Sequence, residues 1–305
     1  LHDRTAGELA DLGLAPDDLL ARYPRLIPAA VTPFGLEGPY ADFPGTDLTT
    51  QAMSGYMGLT GHVGQEPLMA YGYQSQYYAG LTTLVAVLAA LEGREEAGFH
   101  DYVDTSWQDG MATLMEGSTT NFSVTKQDRH RSGNRIEQAG PFVDVWPTID
   151  GHVSITATTA QQWENLALAV GHPEWRDEPE NATWEGRVAN PVIDNTIREW
   201  FAENTTASAM EMLQALRIPS APVLTVADVL VDQQVLARGT FVEVEHPVAG
   251  TLAYPHRALH VTDPDGAVEF PLRRAPLLGE HTAEVLAEAG IAAADLEHLR
   301  AQGVI

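Results

Sequence analysis

Strand-like and helix-like runs alternate through the first third of the sequence, predicting an α/β fold. Three stretches carry that reading. RLIPAAVTPF (Arg25–Phe34) is an apolar run of strand length. GYQSQYYAGL (Gly72–Leu81) opens a helix that stays apolar to Leu91, and YVDTSW (Tyr102–Trp107) is a second strand running into the helix-like QDGMATLM.

Taken in order, Thr5 and Glu8 have capping-box spacing, and Pro16 with Asp17 and Asp18 marks a second helix start. The first strand follows and is broken by the glycines and prolines of GLEGPYADFPG, a long aromatic loop. The helix after Gly72 reads as a core helix: its apolar run, Ala79–Leu91, has thirteen residues, short of the roughly 20 that span a bilayer. Residues 119–140 are polar and read as a linker. FVDVWPTIDGHVSITAT then holds two strands joined at Asp150-Gly151, a hairpin signal. AQQWENLALAVG sets Trp163, Leu166, Ala167 and Val170 on one helical face and stops at Gly171. Two helices are expected over residues 192–216, a short strand and a helix in VLTVADVLVDQQVLARG, β structure over 240–262, and two amphipathic helices at the end.

Composition narrows the function. With 42 acidic against 17 basic residues, a net charge of -25 repels nucleic acid and anionic lipid, so neither is an expected partner. No cysteine is present, which excludes thiolate catalysis and cysteine zinc sites in these residues. Residues 1–12 carry Asp3, Arg4, Glu8 and Asp11 rather than a signal-peptide pattern, making the cytoplasm the default location. The start at Leu1 reads as a fragment, a processed product or part of a longer chain.

Single motifs are weak. His256 and His260 lie in strand-like sequence without ligand spacing, so no metal is expected. GLTGHVG (Gly58–Gly64) lacks the dinucleotide and Walker patterns and reads as a mobile loop. Asp104 and Asp109 flank a strand-to-helix junction and are either acid-base groups or a cap and a solvated face. Tyr73, Tyr77 and Tyr78 either line a substrate cavity or pack.

In combination the segments say more. PRLIPAAVTPFGLEGPYADFPGTDLTTQAMSGYMGLTG (Pro24–Gly61), GREEAG, YVDTS, SGNR (Ser132–Arg135), IPSAPV, ARGTFVEVEHP and RRAPLLGEHT (Arg273–Thr282) fall in one order along nearly the whole chain. This series resembles the class III CoA-transferase family, which includes formyl-CoA and carnitine CoA-transferases and α-methylacyl-CoA racemases. The resemblance implies a Rossmann-like large domain, an inserted small α+β domain and a C-terminus returning to the large domain. Mapped here, that is large domain 1–120, linker 121–140, small domain 141–235, and linker plus return 236–305. It also implies that about three βα units of some 30 residues each precede this stretch, and that two subunits interlock.

The implied chemistry is a relay through an aspartate at the start of the helix after the glycine-rich loop, which takes an acyl group and then CoA from a thioester. In this chain that slot holds Gln76. A carboxamide is neutral and a poor nucleophile, whereas aspartate, with a reference pKa of about 3.9, is ionised at pH 7. Other ligand-facing slots differ too. Asp11 stands where members carry a CoA-binding arginine, Phe43 where a basic residue is common, and Thr46 replaces the Tyr or His before Asp47. Unit charges about 4 Å apart interact by roughly 4 kcal/mol at an effective dielectric near 20, so Asp for Arg beside a CoA phosphate turns attraction into repulsion. Asp11, Phe43, Thr46, Asp47 and Tyr73 are the candidate substrate and CoA contacts, with coenzyme A expected as substrate and weakly held.

Two functions compete. One is a silent half beside a competent paralogous chain or domain, in a homodimer, a heterodimer or a fused protein. The other is an active CoA-transferase in which Asp104, Asp109 or Glu66 supplies the nucleophile. A racemase or isomerase ranks third, because Thr46 stands where racemases use an acid-base His.

Overall fold

The computed structural model describes residues 1–97, 102–256, 258–264, 266–268 and 271–305. They form two compact units, Leu1–Pro222 and Val223–Ile305.

The first unit opens with α1 (Ala6–Asp11) and α2 (Pro16–Arg22). The predicted capping box is present: Glu8 N donates to Thr5 Oγ1 at 3.3 Å and Thr5 N to Glu8 Oε2 at 3.0 Å. Strand β1 (Ala29–Thr32) follows, and its parallel partner β2 (Val103–Ser106) is reached through three helices: α3 (Asp47–Met53), α4 (Tyr56–Leu59) and α5 (Gln74–Ala97). On its other edge β1 takes one parallel bridge from His2 to Ala30.

The mixed α/β class is present, and among the described residues the parallel sheet consists of the β1–β2 pair. So small a sheet covers only one side of α5. The expectation of a core helix therefore holds for one face: Ala79, Thr83 and Ala90 are buried, while Leu81, Leu84, Val85 and Leu88 are more than half exposed.

Helix α6 (Trp107–Thr113) starts at Ser106, whose Oγ accepts from Asp109 N at 2.9 Å. Helix α7 (Glu116–Thr125) enters the stretch expected to be linker. Its hydroxyls explain why polar sequence stays helical: Thr119, Ser123 and Thr125 each donate to a carbonyl three or four residues back. The helix ends at Lys126 in the left-handed region, φ 58°.

Beyond it lies the largest apolar core. The Asp150-Gly151 hairpin forms as expected from β3 (Val143–Pro147) and β4 (His152–Thr156), with β5 (Ser220–Pro222) antiparallel on the other side of β4. Around this sheet stand α8 (Ala160–Ala169), α9 (Trp184–Ala189), α10 (Pro191–Glu203) and α11 (Thr206–Ala215). All four predicted apolar positions, Trp163, Leu166, Ala167 and Val170, are buried. Helix α10 buries Ile193, Ile197 and Phe201 at four-residue spacing. Trp146 stacks on Phe201 at 6.0 Å and Trp163 on Trp175 at 5.9 Å. Each such aromatic or branched side chain contributes about 1.5–3 kcal/mol by leaving water.

Arg135 clasps this core. It donates to Asp144 of β3 at 2.7 Å and to Asp194 of α10, and its guanidinium lies over the Trp146 ring at 5.2 Å.

The second unit contains α12 (Val226–Val231), α13 (Gln233–Ala237), the hairpin β6 (Phe241–His246) and β7 (Gly250–Pro255), the short pair β8 (Thr262–Asp263) and β9 (Gly266–Ala267), and α14 (Thr282–Glu288) and α15 (Ala293–Ala301). The strand expected in VLTV lies just upstream, at β5. The Thr225 side chain caps α12, accepting from Asp228 N, which leaves Val223 and Leu224 as connection.

Candidate active site

Gln76 sits in the first turn of α5, and a buried polar network holds that turn in place. Asp47, the first residue of α3, is 5% exposed. Its Oδ1 accepts from Ser75 N at 2.9 Å and from Ser75 Oγ at 2.6 Å, and its Oδ2 accepts from Gln51 Nε2. Gln51 Oε1 in turn accepts from Ala70 N at 2.9 Å, while the Thr50 and Ser75 hydroxyls are 3.0 Å apart. The carboxylate thus lies at the N-termini of two helices, where backbone N–H groups are otherwise unpaired and the helix dipoles favour negative charge.

Spacing explains the network. Asp47, Thr50 and Gln51 are three and four residues apart and share one face of α3. Thr46 caps that helix and accepts from Thr49 N, so the residue expected to face substrate also starts α3. Asp47 is likewise occupied inside the protein. Ser75, Thr50 and Gln51 were missed from sequence; the signal was the D-x-x-T-Q spacing after a helix-capping threonine.

Gln76 is partly buried, and its side chain makes no hydrogen bond among the described residues. Its neighbours are more open: Tyr73 is 61% exposed and meets Tyr77 edge-on at 6.4 Å. Phe43 packs in an aromatic cluster, 5.0 Å from Tyr40 and 6.5 Å from Phe34. Asp42, beside it, accepts from Gly7 N at 2.8 Å and ties α1 to this segment. The bonds thus make two separate links, Gly7 of α1 to Asp42 and Asp47 of α3 to the start of α5. Asp11 stands at the exposed far end of α1, and among the described residues its side chain makes no hydrogen bond or ion pair to this group.

On the other side of α5 is a cavity of about 670 Å³, lined among others by Tyr78, Thr82, Tyr102, Asp104, Ser106 and Asp109. Both aspartates are exposed. Asp104 Oδ2 accepts from Leu36 N at 2.9 Å. Tyr102 bonds to His2; burial, with the Asp104 charge behind it, pushes the phenol up to about 12, and burial lowers His2. Glu66 lies exposed in the loop after Gly61. No group of three or more His, Asp or Glu with metal-ligand geometry occurs among the described residues. None of their helices is long and apolar enough to cross a membrane.

Residues 1–282 match CoA-transferase family III. The chain belongs to that family. It is 29% identical over 284 residues to the succinate–glutarate CoA-transferase of Agrobacterium fabrum, covering 92% of this chain and 69% of that protein. To the succinyl-CoA–L-malate CoA-transferase beta subunit of Chloroflexus aurantiacus it is 29% identical over 304 residues, covering 98% of this chain and 74% of the other. The crystal structure of a CAIB/BAIF family protein from Brucella suis aligns with a TM-score of 0.73 at 28% identity, over 94% of this chain and 74% of that one. The family resemblance read from the sequence motifs is thereby shown, and with it the mixed α/β fold. CoA-transferases of this family act on CoA thioesters.

Proposed function

We propose that this protein takes part in CoA transfer between an acyl-CoA and a small carboxylic acid, and that this chain does not itself carry the covalent intermediate. One feature supports the reading: by the motif resemblance Gln76 takes the slot of the family nucleophile, and it stands on a helix start that the Asp47–Ser75 bonds hold in place. A scaffold that holds residue 76 firmly, with a neutral amide on it, suits a chain that shapes a site while another supplies the carboxylate. The amide of Gln76 donates to a thioester or carboxylate oxygen but has no anionic oxygen with which to attack. A relative named as a beta subunit makes a two-chain assembly a natural setting, and the names succinate, glutarate and malate among the relatives favour a dicarboxylic acid as acceptor. The Rossmann-like large domain with an inserted small domain, and the interlocking of subunits, belong to this proposal.

The test is chemical. The purified chain is incubated with succinyl-CoA and hydroxylamine and digested for mass spectrometry. The expected result is no hydroxamate on any side chain, and gain of one at residue 76 in Gln76→Asp. A hydroxamate on a carboxylate of the unmodified chain overturns the silent-half reading.

The second reading, an active enzyme with a relocated nucleophile, draws on the 670 Å³ cavity that Asp104 and Asp109 share with Tyr78. The same digest distinguishes them, since modification would then fall on Asp104, Asp109 or Glu66. A racemase is disfavoured by Thr46, whose hydroxyl is engaged in capping α3.

A further inference from the structure

The loop after α4 and the segment before β3 meet at one backbone bond, Gly133 N donating to Gly61 O at 2.9 Å. Both glycines are required there. Gly61 has φ +124°, and a β-carbon on it would lie 2.9 Å from Glu66 O and 3.1 Å from Arg131 Cδ. Gly133 has φ +69°, and its β-carbon would come within 3.2 Å of His62 Nδ1. The bare backbone lets Arg131 lay its stem across the loop, where Nη2 donates to Gln65 O at 2.8 Å. Its Nε is buried and has no partner among the described residues, which is costly for a charged donor.

Against this crossing lies a cavity of about 220 Å³ lined by Gly58, Val63, Gly64, Arg129, His130 and Arg131. No carboxylate lines it. Among the described residues, the backbone amides of His62, Val63 and Gly64 and the Arg129 side chain donate to nothing within the chain. Successive free N–H groups in a glycine-rich loop make an anion-binding concavity.

Charge distribution supports the same reading independently. Residues 126–135 hold Lys126, Arg129, Arg131 and Arg135 against one carboxylate, Asp128, in a chain of net charge -25 with only 17 basic residues. Arg135 is taken up by Asp144 and Asp194, whereas Arg129 has no ion-pair partner among the described residues. A positive island on so acidic a protein concentrates anions locally.

The geometry points to an oxyanion site between the Gly58–Gly64 loop and Arg129–Arg131, taking a phosphate or carboxylate group. Two sources share that chemistry, the phosphates of an acyl-CoA and the free carboxylate of a dicarboxylic acid; naming these two rests on the CoA-transfer reading above, while the site does not.

Isothermal titration at low salt with inorganic phosphate tests the site. Binding is expected, weakened about tenfold by Arg129→Gln, the scale of one lost charge-assisted hydrogen bond. It is expected unchanged in Arg238→Gln, which removes the same charge from an exposed position in the second unit. The Arg129 side chain makes no hydrogen bond or ion pair among the described residues, so its variant is expected to melt close to the parent. No binding, or equal weakening in both variants, overturns the site. Titration with 3′,5′-ADP and with succinate then assigns the source. The ligand weakened by Arg129→Gln is the one recognised, and phosphate binding with neither ligand affected overturns both sources while upholding the site.

Discussion

Asp47 accepts hydrogen bonds from both the amide and the hydroxyl of Ser75, the residue just before Gln76. One carboxylate therefore sets where α5 begins and which way its second and third residues face.

Removing that carboxylate strands buried donors. Asp47→Ala is expected to cost about 2–4 kcal/mol, because the Ser75 and Gln51 donors lose their acceptor, and unsatisfied buried groups cost roughly 1–3 kcal/mol each before relaxation. Ser75→Ala, which keeps the backbone bond, is expected to cost about 1 kcal/mol. Urea unfolding midpoints at unchanged slope measure both.

Gly110 is where α6 passes the Tyr78 ring: a β-carbon there would lie 2.9 Å from Tyr78 Cδ1. Gly110→Ala is expected to destabilise by about 1–3 kcal/mol through overpacking. In a double-mutant cycle, Tyr78→Leu should recover part of that loss. Independent, additive effects of the two changes would show that the ring yields without strain.

Arg135 bridges a strand and a helix, with its own side chain 27% exposed and those of Asp144 and Asp194 at 15% and 23%. Burial alone would lower the guanidinium, but the hydrogen bonds it donates to Asp194 and Asp144 outweigh this and hold it above its ordinary value. Arg135→Ala leaves the half-buried Asp144 without a cation, while Asp194 keeps Arg198 at 3.2 Å, and is expected to cost about 1–3 kcal/mol. Arg135→Lys should recover little, since one ammonium cannot reproduce the fork to two acceptors. Thermal unfolding midpoints compare the three forms.

In the second unit, hydrogen bonds from Arg274 and from Leu277 N hold the Glu280 carboxyl down at about 2, against an ordinary value of 4.5. A carboxyl lowered on folding contributes stability above its unfolded value and loses it as pH falls through the folded one. That contribution should be complete above pH 4.5 and disappear toward pH 2. Following Glu280 by carbon-detected NMR should show the late titration, and Arg274→Gln should move it back toward 4.5.

Legibility followed the range of the interactions. Local signals survived intact: the Thr5–Glu8 cap, the Asp150-Gly151 hairpin and the buried face of α8 need only neighbours in sequence. Helix α3 was not read as a helix, because seven residues with two threonines carry little propensity and the helix is held through the remote Ser75. Burial of α5 was overestimated for the opposite reason: its apolar run predicts a dry environment on all sides, whereas the described sheet covers one. At the site, residue 76 is assigned to the nucleophile slot by the motif alone. The Arg131 crossing was not, since it depends on two glycines 72 positions apart in the chain, Gly61 and Gly133, coming within one hydrogen bond.

Lys126, at the left-handed end of α7, is exposed, donates from its ammonium to Ser123 O, and is the single lysine in these 305 residues. Amine-reactive dyes consequently have one side-chain target, three positions from Arg129. A fluorophore attached there would report, by its own emission, whatever docks between the two glycine-bearing segments.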